Sequence, residues 1–148
     1  MRIGSLCLRG IALPVTALLV LGAASGAAFA GSVSAAEDPA APFVVKIHAD
    51  WCGTCTRLTP VLDALESSVG DGARFVVLDV TDKQALARSQ AEAKRLGIVA
   101  FFDRYKSTTG TVGILDGTSR EPVSVMKGEL DVTVYEEALV EARGDPAS

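Results

Sequence analysis

Cys52 and Cys55 stand two residues apart in the segment Trp51-Cys52-Gly53-Thr54-Cys55. A short apolar run precedes them and an amphipathic helical pattern follows, so the pair sits where a strand runs into a helix. A cysteine in the first turn of a helix has its sulfur near unsatisfied backbone N–H groups and the positive end of the helix dipole, which favours thiolate over thiol. Thiolate is the form that attacks disulfides. With the second cysteine three positions on, one helical turn carries both sulfurs to the same face, within reach of a disulfide that opens and closes. Two thiols also suit a soft ion such as Cu(I), with His48, the only histidine, as a third ligand in a metal-binding or metallochaperone module. A zinc ribbon would need a second ligand pair, which this chain does not have.

At 148 residues the chain has room for one domain of ordinary size. Arg2 and Arg9, the apolar stretch from Ile11 to Ala24 broken only by Thr16, and the small-x-small Ala28-Phe29-Ala30 read as an export signal over residues 1–30, cleaved after Ala30. The uncharged run from Gly10 to Ala36 is also long enough to stay as a membrane anchor through residues 10–30, with the two arginines inside. Pro14 and the Ala/Gly/Ser-rich end favour cleavage. Either way the domain is expected outside the cytoplasm, periplasmic or secreted. Cys7 leaves with a cleaved signal, which makes Cys52 and Cys55 the cysteines of the mature chain. From Gly31 on, twelve Lys and Arg face eighteen Asp and Glu, a net −6 that argues against nucleic acid as a partner. In an oxidising compartment a CxxC pair drifts to the disulfide unless a membrane or extracytoplasmic electron donor keeps it reduced.

Residues 31–42 are small, polar and Pro-containing, and read as a flexible leader. The domain is expected over residues 43–142, with a disordered tail over 143–148. Phe43 to His48 and Arg74 to Val80 are short, apolar, β-rich runs. Between them Leu58, Val61, Leu62, Leu65 and Val69 recur on one helical face, ended by Gly70-Asp71-Gly72. Lys83 to Leu96 predicts a helix capped by Asp82 or Thr81 and stopped by Gly97. A short helix follows over Val99 to Tyr105, whose Phe101, Phe102 and Tyr105 read as core. Thr111 to Leu115 and Pro122 to Lys127 form two more strands around Asp116-Gly117. Asp131 caps a last helix with Val132, Tyr135, Ala138 and Leu139 inward. Glycines 110 to 117 lie between strand candidates, which excludes a phosphate loop.

The order βαβαββα, with WCGTC between the first strand and first helix, resembles the thioredoxin superfamily over Phe43 to about Glu141. Trp51 before the first cysteine, Gly53 after it and Pro60 eight residues beyond Cys52 carry the resemblance further. It implies an α/β thioredoxin-like fold, a central mixed four-stranded sheet with flanking helices. It also implies a thiol:disulfide oxidoreductase that needs no bound cofactor or metal and acts on disulfide-containing proteins. Cys52 would be the exposed nucleophile, Cys55 the buried resolving thiol and Trp51 a shield that packs against substrate. Relatives tune their potential through the two residues between the cysteines. Gly53-Thr54 brings no histidine, which favours reduction of substrates over strong oxidation.

The chain departs from that pattern in three places. Thioredoxins carry a cis-proline opposite the cysteines; here the matching segment is Thr109-Gly110-Thr111. A cis bond before a non-proline residue costs about 2.5–4 kcal/mol, so a trans peptide is expected, with Gly110 and Thr111 lining an altered substrate edge. Losing that proline also makes metal capture by the dithiol more feasible. Lys46 stands where the family buries a carboxylate. Three readings stay open: a charge that stabilises the Cys55 thiolate, a base with a pKa lowered by burial, or a lysine that snorkels to the surface. His48 has three as well: strand-end packing, a charge partner near Cys52, or a metal ligand.

Overall fold

The computed structural model describes residues 38–144. The signal or anchor expected over residues 1–30, and residues 31–37 of the leader, lie outside the described residues. The elements in chain order are β1 (Phe43–His48), α1 (Gly53–Val69), a 3-10 turn (Gly70–Gly72), β2 (Arg74–Asp79), α2 (Lys83–Leu96), α3 (Val99–Tyr105), β3 (Thr111–Leu115), β4 (Pro122–Lys127) and α4 (Val132–Ala142).

The strands form one mixed sheet in the order β2-β1-β3-β4. β1 runs parallel to β2, from Phe43 opposite Arg74 to His48 opposite Asp79. β3 runs antiparallel to both β1 and β4. β1 and β3 are covered on both faces, which is why they read as nearly unbroken apolar runs, whereas edge strand β4 alternates. Side chains in a strand alternate in direction, so β1 feeds two cores. Val44 joins Leu58, Leu62 and Leu65 of α1 and Tyr135 and Leu139 of α4 on one face. Phe43, Val45 and Ile47 join Ala93, Ile98, Phe101 and Phe102 on the other. Phe101 and Phe102 of α3 are core, as expected, with Tyr105 half-buried against them, and β3 leaves room: a β-carbon on Gly113 would overlap the Phe101 ring. Fully burying side chains such as Leu58 and Leu65 is worth about 1.5–3 kcal/mol each.

Local signals set the ends of the helices. Asp82, not Thr81, caps α2 by accepting from the Ala85 N–H at 2.8 Å, and Gly97 closes it in the left-handed conformation. Asp131 caps α4. α1 runs on through Pro60. At the N-terminal edge, the flexible leader expected up to residue 42 is ordered over residues 38–42. Asp38 turns the chain by accepting from the Ala40 and Ala41 amides, and the carbonyls of Pro39 and Ala41 accept from the Arg74 guanidinium. Arg74 also lies 3.9 Å over the Phe43 ring, so its cation fastens this segment to the sheet.

Candidate active site

Cys52 and Cys55 form a disulfide, with their Cα atoms 5.2 Å apart. Cys52 is the N-cap of α1 and Cys55 sits in its first turn. The Cys52 sulfur accepts the Cys55 backbone N–H at 3.1 Å, one of the donors a helix start leaves unsatisfied. On cleavage of the disulfide that same N–H is aimed at the nascent Cys52 thiolate, and the helix dipole adds to its stabilisation.

The expectation of an exposed Cys52 needs correction: the residue is 7% accessible, against 0% for Cys55. Cys52 is the outer sulfur, but only an edge of it reaches solvent. Ala49, Cys55 and Val80 pack against it, and Gly110, from a distant part of the chain, lies beside its sulfur. Gly110 before β3 and Gly128 after β4 both have positive φ, 76° and 65°, and the Gly128 N–H donates to the Gly110 carbonyl at 3.0 Å. A β-carbon on Gly110 would lie 3.0 Å from the Thr54 methyl and 3.8 Å from the Cys52 sulfur; one on Gly128 would lie 3.1 Å from the same methyl. Two glycines thus form the seat in which Thr54 rests. Gly110 is where the sequence places it, beside the sulfur. Thr111 is buried, its hydroxyl donating to the Thr108 carbonyl at 2.8 Å. Gly53 points at open space, with no atom within 4 Å of where its β-carbon would be.

Trp51 is 68% exposed beside the disulfide, with its indole N–H directed at the Thr81 carbonyl 3.4 Å away. Arg57 donates to the Thr54 hydroxyl at 3.3 Å and is otherwise solvated.

Lys46 does not snorkel. It is 5% exposed, because β1 is an inner strand and this face lies under α1. Its ammonium donates to the Cys55 carbonyl at 3.0 Å and to the Thr59 hydroxyl at 3.0 Å, and that hydroxyl in turn donates to the Cys55 carbonyl. Burial holds the Lys46 pKa below the usual lysine value, with the Asp63 charge pulling the other way. A cavity of about 240 Å³, lined by Lys46, His48, Thr59, Asp63 and Glu66 among others, opens beside it. The Cys55 sulfur also lies 3.7 Å from the Ile47 carbonyl, an acceptor for its proton once the disulfide is reduced. Two neighbours therefore pull the resolving sulfur in opposite directions: the Ile47 carbonyl towards thiol, the Lys46 cation towards thiolate.

His48 has its Nε2 3.3 Å from Asp50 Oδ1. Among the described residues no three His, Cys, Asp or Glu side chains come together as a metal site. Asp79 and Thr81 supply what the sequence reading missed. The Thr81 amide and hydroxyl both donate to Asp79 Oδ1, and the Thr81 hydroxyl accepts from the Asp50 N–H. The sequence signals only a cap at this position.

Comparison with known proteins agrees with this geometry. The family model described as Thioredoxin matches residues 22–114. The thioredoxin of Bacillus subtilis (strain 168) is 35% identical over 52 residues, 35% of this chain and 50% of that protein, so the match spans half of the relative's length. The pneumococcal exposed lipoprotein thioredoxin of Streptococcus pneumoniae strain TIGR4 shares the fold with a TM-score of 0.50 at 16% identity, over 70% of this chain and 86% of that one. Thioredoxin of Fasciola hepatica gives 0.46 at 17% identity, over 70% and 82%. With more than half of its residues under that family model, and a CxxC disulfide at the mouth of α1 in a mixed four-stranded sheet, this chain belongs to the thioredoxin family.

Proposed function

We propose that the protein is an exported thiol:disulfide oxidoreductase that reduces disulfides in other proteins. The observation that carries this reading is the Cys52–Cys55 disulfide at the N-terminus of α1, with Cys52 outermost. In the working direction the Cys52 thiolate attacks one sulfur of a substrate disulfide. The bond between the substrate sulfurs breaks, a mixed disulfide forms, and the substrate's other sulfur leaves as thiolate to take a proton from water. Cys55, once deprotonated, then attacks Cys52, closing the intramolecular disulfide and releasing the second substrate thiol. Two electrons pass from the pair to the substrate, and an extracytoplasmic or membrane donor must return them.

The reducing direction is supported by the turn itself. Gly53-Thr54 contributes no imidazole, and the Cys52 sulfur has one N–H, that of Cys55, as its hydrogen-bond donor. The Lys46 cation, which favours thiolate at Cys55, works against that bias. Export is supported by the basic, apolar and small-x-small order of residues 1–30, and sequencing the N-terminus of protein recovered from outside the cytoplasm tests it.

The decisive experiment is turnover of a protein disulfide with a dithiol donor. Wild type is expected to cycle, Cys52→Ser to lose activity entirely, and Cys55→Ser to accumulate a mixed disulfide with substrate. Should Cys52→Ser retain turnover, the assignment is wrong.

A further inference from the structure

Thr81 lies between β2 and α2, thirty residues from the cysteine motif, yet its bonds converge on that motif. Its hydroxyl proton goes to Asp79 Oδ1 at 2.5 Å, and its own N–H goes to the same oxygen at 2.8 Å. That leaves the hydroxyl lone pairs to accept from the Asp50 N–H at 3.0 Å. An oxygen whose proton is held by a carboxylate is the better acceptor, because the bonds polarise one another. The Thr81 carbonyl meets the indole N–H of Trp51 at 3.4 Å. Two consecutive residues, Asp50 by its main chain and Trp51 by its side chain, are thus moored to one residue.

The mooring is itself fixed. Val80 donates to the His48 carbonyl at 2.8 Å, Ser89 donates to the Asp79 carbonyl at 2.7 Å, and Asp82 caps α2 directly after Thr81. Trp51 needs such a hold. An indole that is 68% exposed has little packing to select one rotamer, and ordering such a side chain on docking costs binding free energy.

We infer that Thr81 is a positioning residue, holding Trp51 and the 50–52 turn beside the disulfide so that the substrate meets a pre-set indole. It touches neither sulfur and takes no part in thiol exchange. The inference rests on the oxidoreductase reading for its effect on substrate, but not for its effect on Trp51.

The chain has one tryptophan, so its fluorescence reports this site alone. The full chain with Thr81→Val, which keeps the shape and loses the hydroxyl, is compared with Thr81→Ser, which keeps the hydroxyl. Each variant keeps the main-chain carbonyl that meets the indole, so the comparison reads the hydroxyl's hold on the Asp50 N–H: steady-state anisotropy of Trp51 is expected to fall in Thr81→Val, where that N–H loses its acceptor, and to stay at the wild-type value in Thr81→Ser. With insulin as the protein disulfide and dithiothreitol as donor, KM is expected to rise about fivefold in Thr81→Val, the worth of one hydrogen bond of about 1 kcal/mol, with kcat within twofold. If valine prevents folding, Thr81→Ala carries the same comparison. Unchanged anisotropy in the hydroxyl-free variant, a serine variant as impaired as the valine one, or a loss confined to kcat would each overturn the inference. Failure of the wild type to reduce insulin would instead overturn the oxidoreductase reading, and the anisotropy comparison would still decide the role of Thr81.

Discussion

Replacing Lys46 with methionine removes a buried charge from behind the resolving cysteine while keeping an unbranched side chain. The ammonium lies 3.0 Å from the Cys55 carbonyl oxygen. Standard bond lengths then put the sulfur of the same residue within roughly 6–8 Å of the charge. At an effective dielectric of about 20, a unit pair at that separation is worth about 2–3 kcal/mol. Solvent screening and the opposing charge of Asp63 reduce this, and half of it, about 1.4 kcal/mol, corresponds to about 30 mV for a two-electron couple. A cation stabilises thiolate, hence the reduced pair, so Lys46→Met should have the lower reduction potential. The gap exists only where a thiolate exists. Equilibration with glutathione is therefore expected to show the variant about 30 mV more reducing at pH 8 and within a few mV of wild type at pH 5. Stability should not fall in step. Burial lowers the Lys46 pKa, so the folded state pays for the charged form at neutral pH, and methionine removes that cost together with two hydrogen bonds. The same linkage predicts that wild-type stability rises with pH from the depressed lysine pKa towards 10.5, a rise the variant lacks. Equal potentials at pH 8, or a gap that persists unchanged at pH 5, would refute the electrostatic reasoning.

Three further outcomes are expected. Gly110→Ala forces a β-carbon onto a residue with φ of 76° and to 3.0 Å from the Thr54 methyl, so denaturant unfolding should show a loss of about 1–3 kcal/mol. Wild-type stability in that variant would mean the Thr54 seat is looser than described. Tyr135, fully buried, donates to the Glu129 carbonyl at 2.8 Å, and burial followed by the Glu129 charge pushes its pKa up to about 12. Its folded pKa exceeds the unfolded value, so its neutral form stabilises the fold up to about pH 10 and this is lost towards pH 12. Tyr135→Phe should cost about 1 kcal/mol in denaturant melts at pH 7, and an ultraviolet titration should find one phenolate forming near pH 12 in wild type only. Asp79 has its pKa lowered, first by the Thr81 hydroxyl and then by the Thr81 amide and the His48 and Arg88 charges. A depressed carboxylate stabilises above its unfolded value of 3.8 and loses that as pH falls through the folded value, so Asp79→Asn should melt below wild type at pH 6, with the difference closing under acid. A difference that widens under acid would contradict this sign.

Much of the fold was legible because its signals are local. The inner strands β1 and β3 are apolar on both faces, the faces of α1 and α4 repeat at helical spacing, and Asp82, Gly97 and Asp131 sit where helix ends require them. The cysteine pair was legible for the same reason, since cap, first turn and disulfide span only four residues. What stayed hidden depends on contacts between distant segments. Periodicity identifies a buried face but not the polar atom waiting there, so Lys46 could be read as surface-seeking until Thr59 and the Cys55 carbonyl were found above it. Cys52 read as exposed because Gly110, which lies against its sulfur, comes from the distant turn before β3. Thr81 read as a cap because its partners Asp50 and Trp51 lie on another loop, and residues 38–42 read as flexible because Arg74 holds them from the next strand.

These hidden contacts share a chemical consequence. Family resemblance locates the two sulfurs, but the balance between thiol and thiolate at Cys55 lies between the Ile47 main-chain carbonyl, which favours the proton, and the Lys46 ammonium, which departs from the family pattern and favours its loss. A carboxylate at position 46 could accept the resolving proton, whereas a charged lysine can only make the thiolate cheaper to form. The proton must then leave by another path, and the cavity that adjoins Lys46 is lined by Thr59, Asp63 and Glu66. For that reason Lys46→Asp should differ from Lys46→Met. The carboxylate restores an acceptor and lowers the potential further through its negative charge, so a potential for the aspartate variant above that of the methionine variant at pH 8 would show that charge at position 46 does not govern the couple.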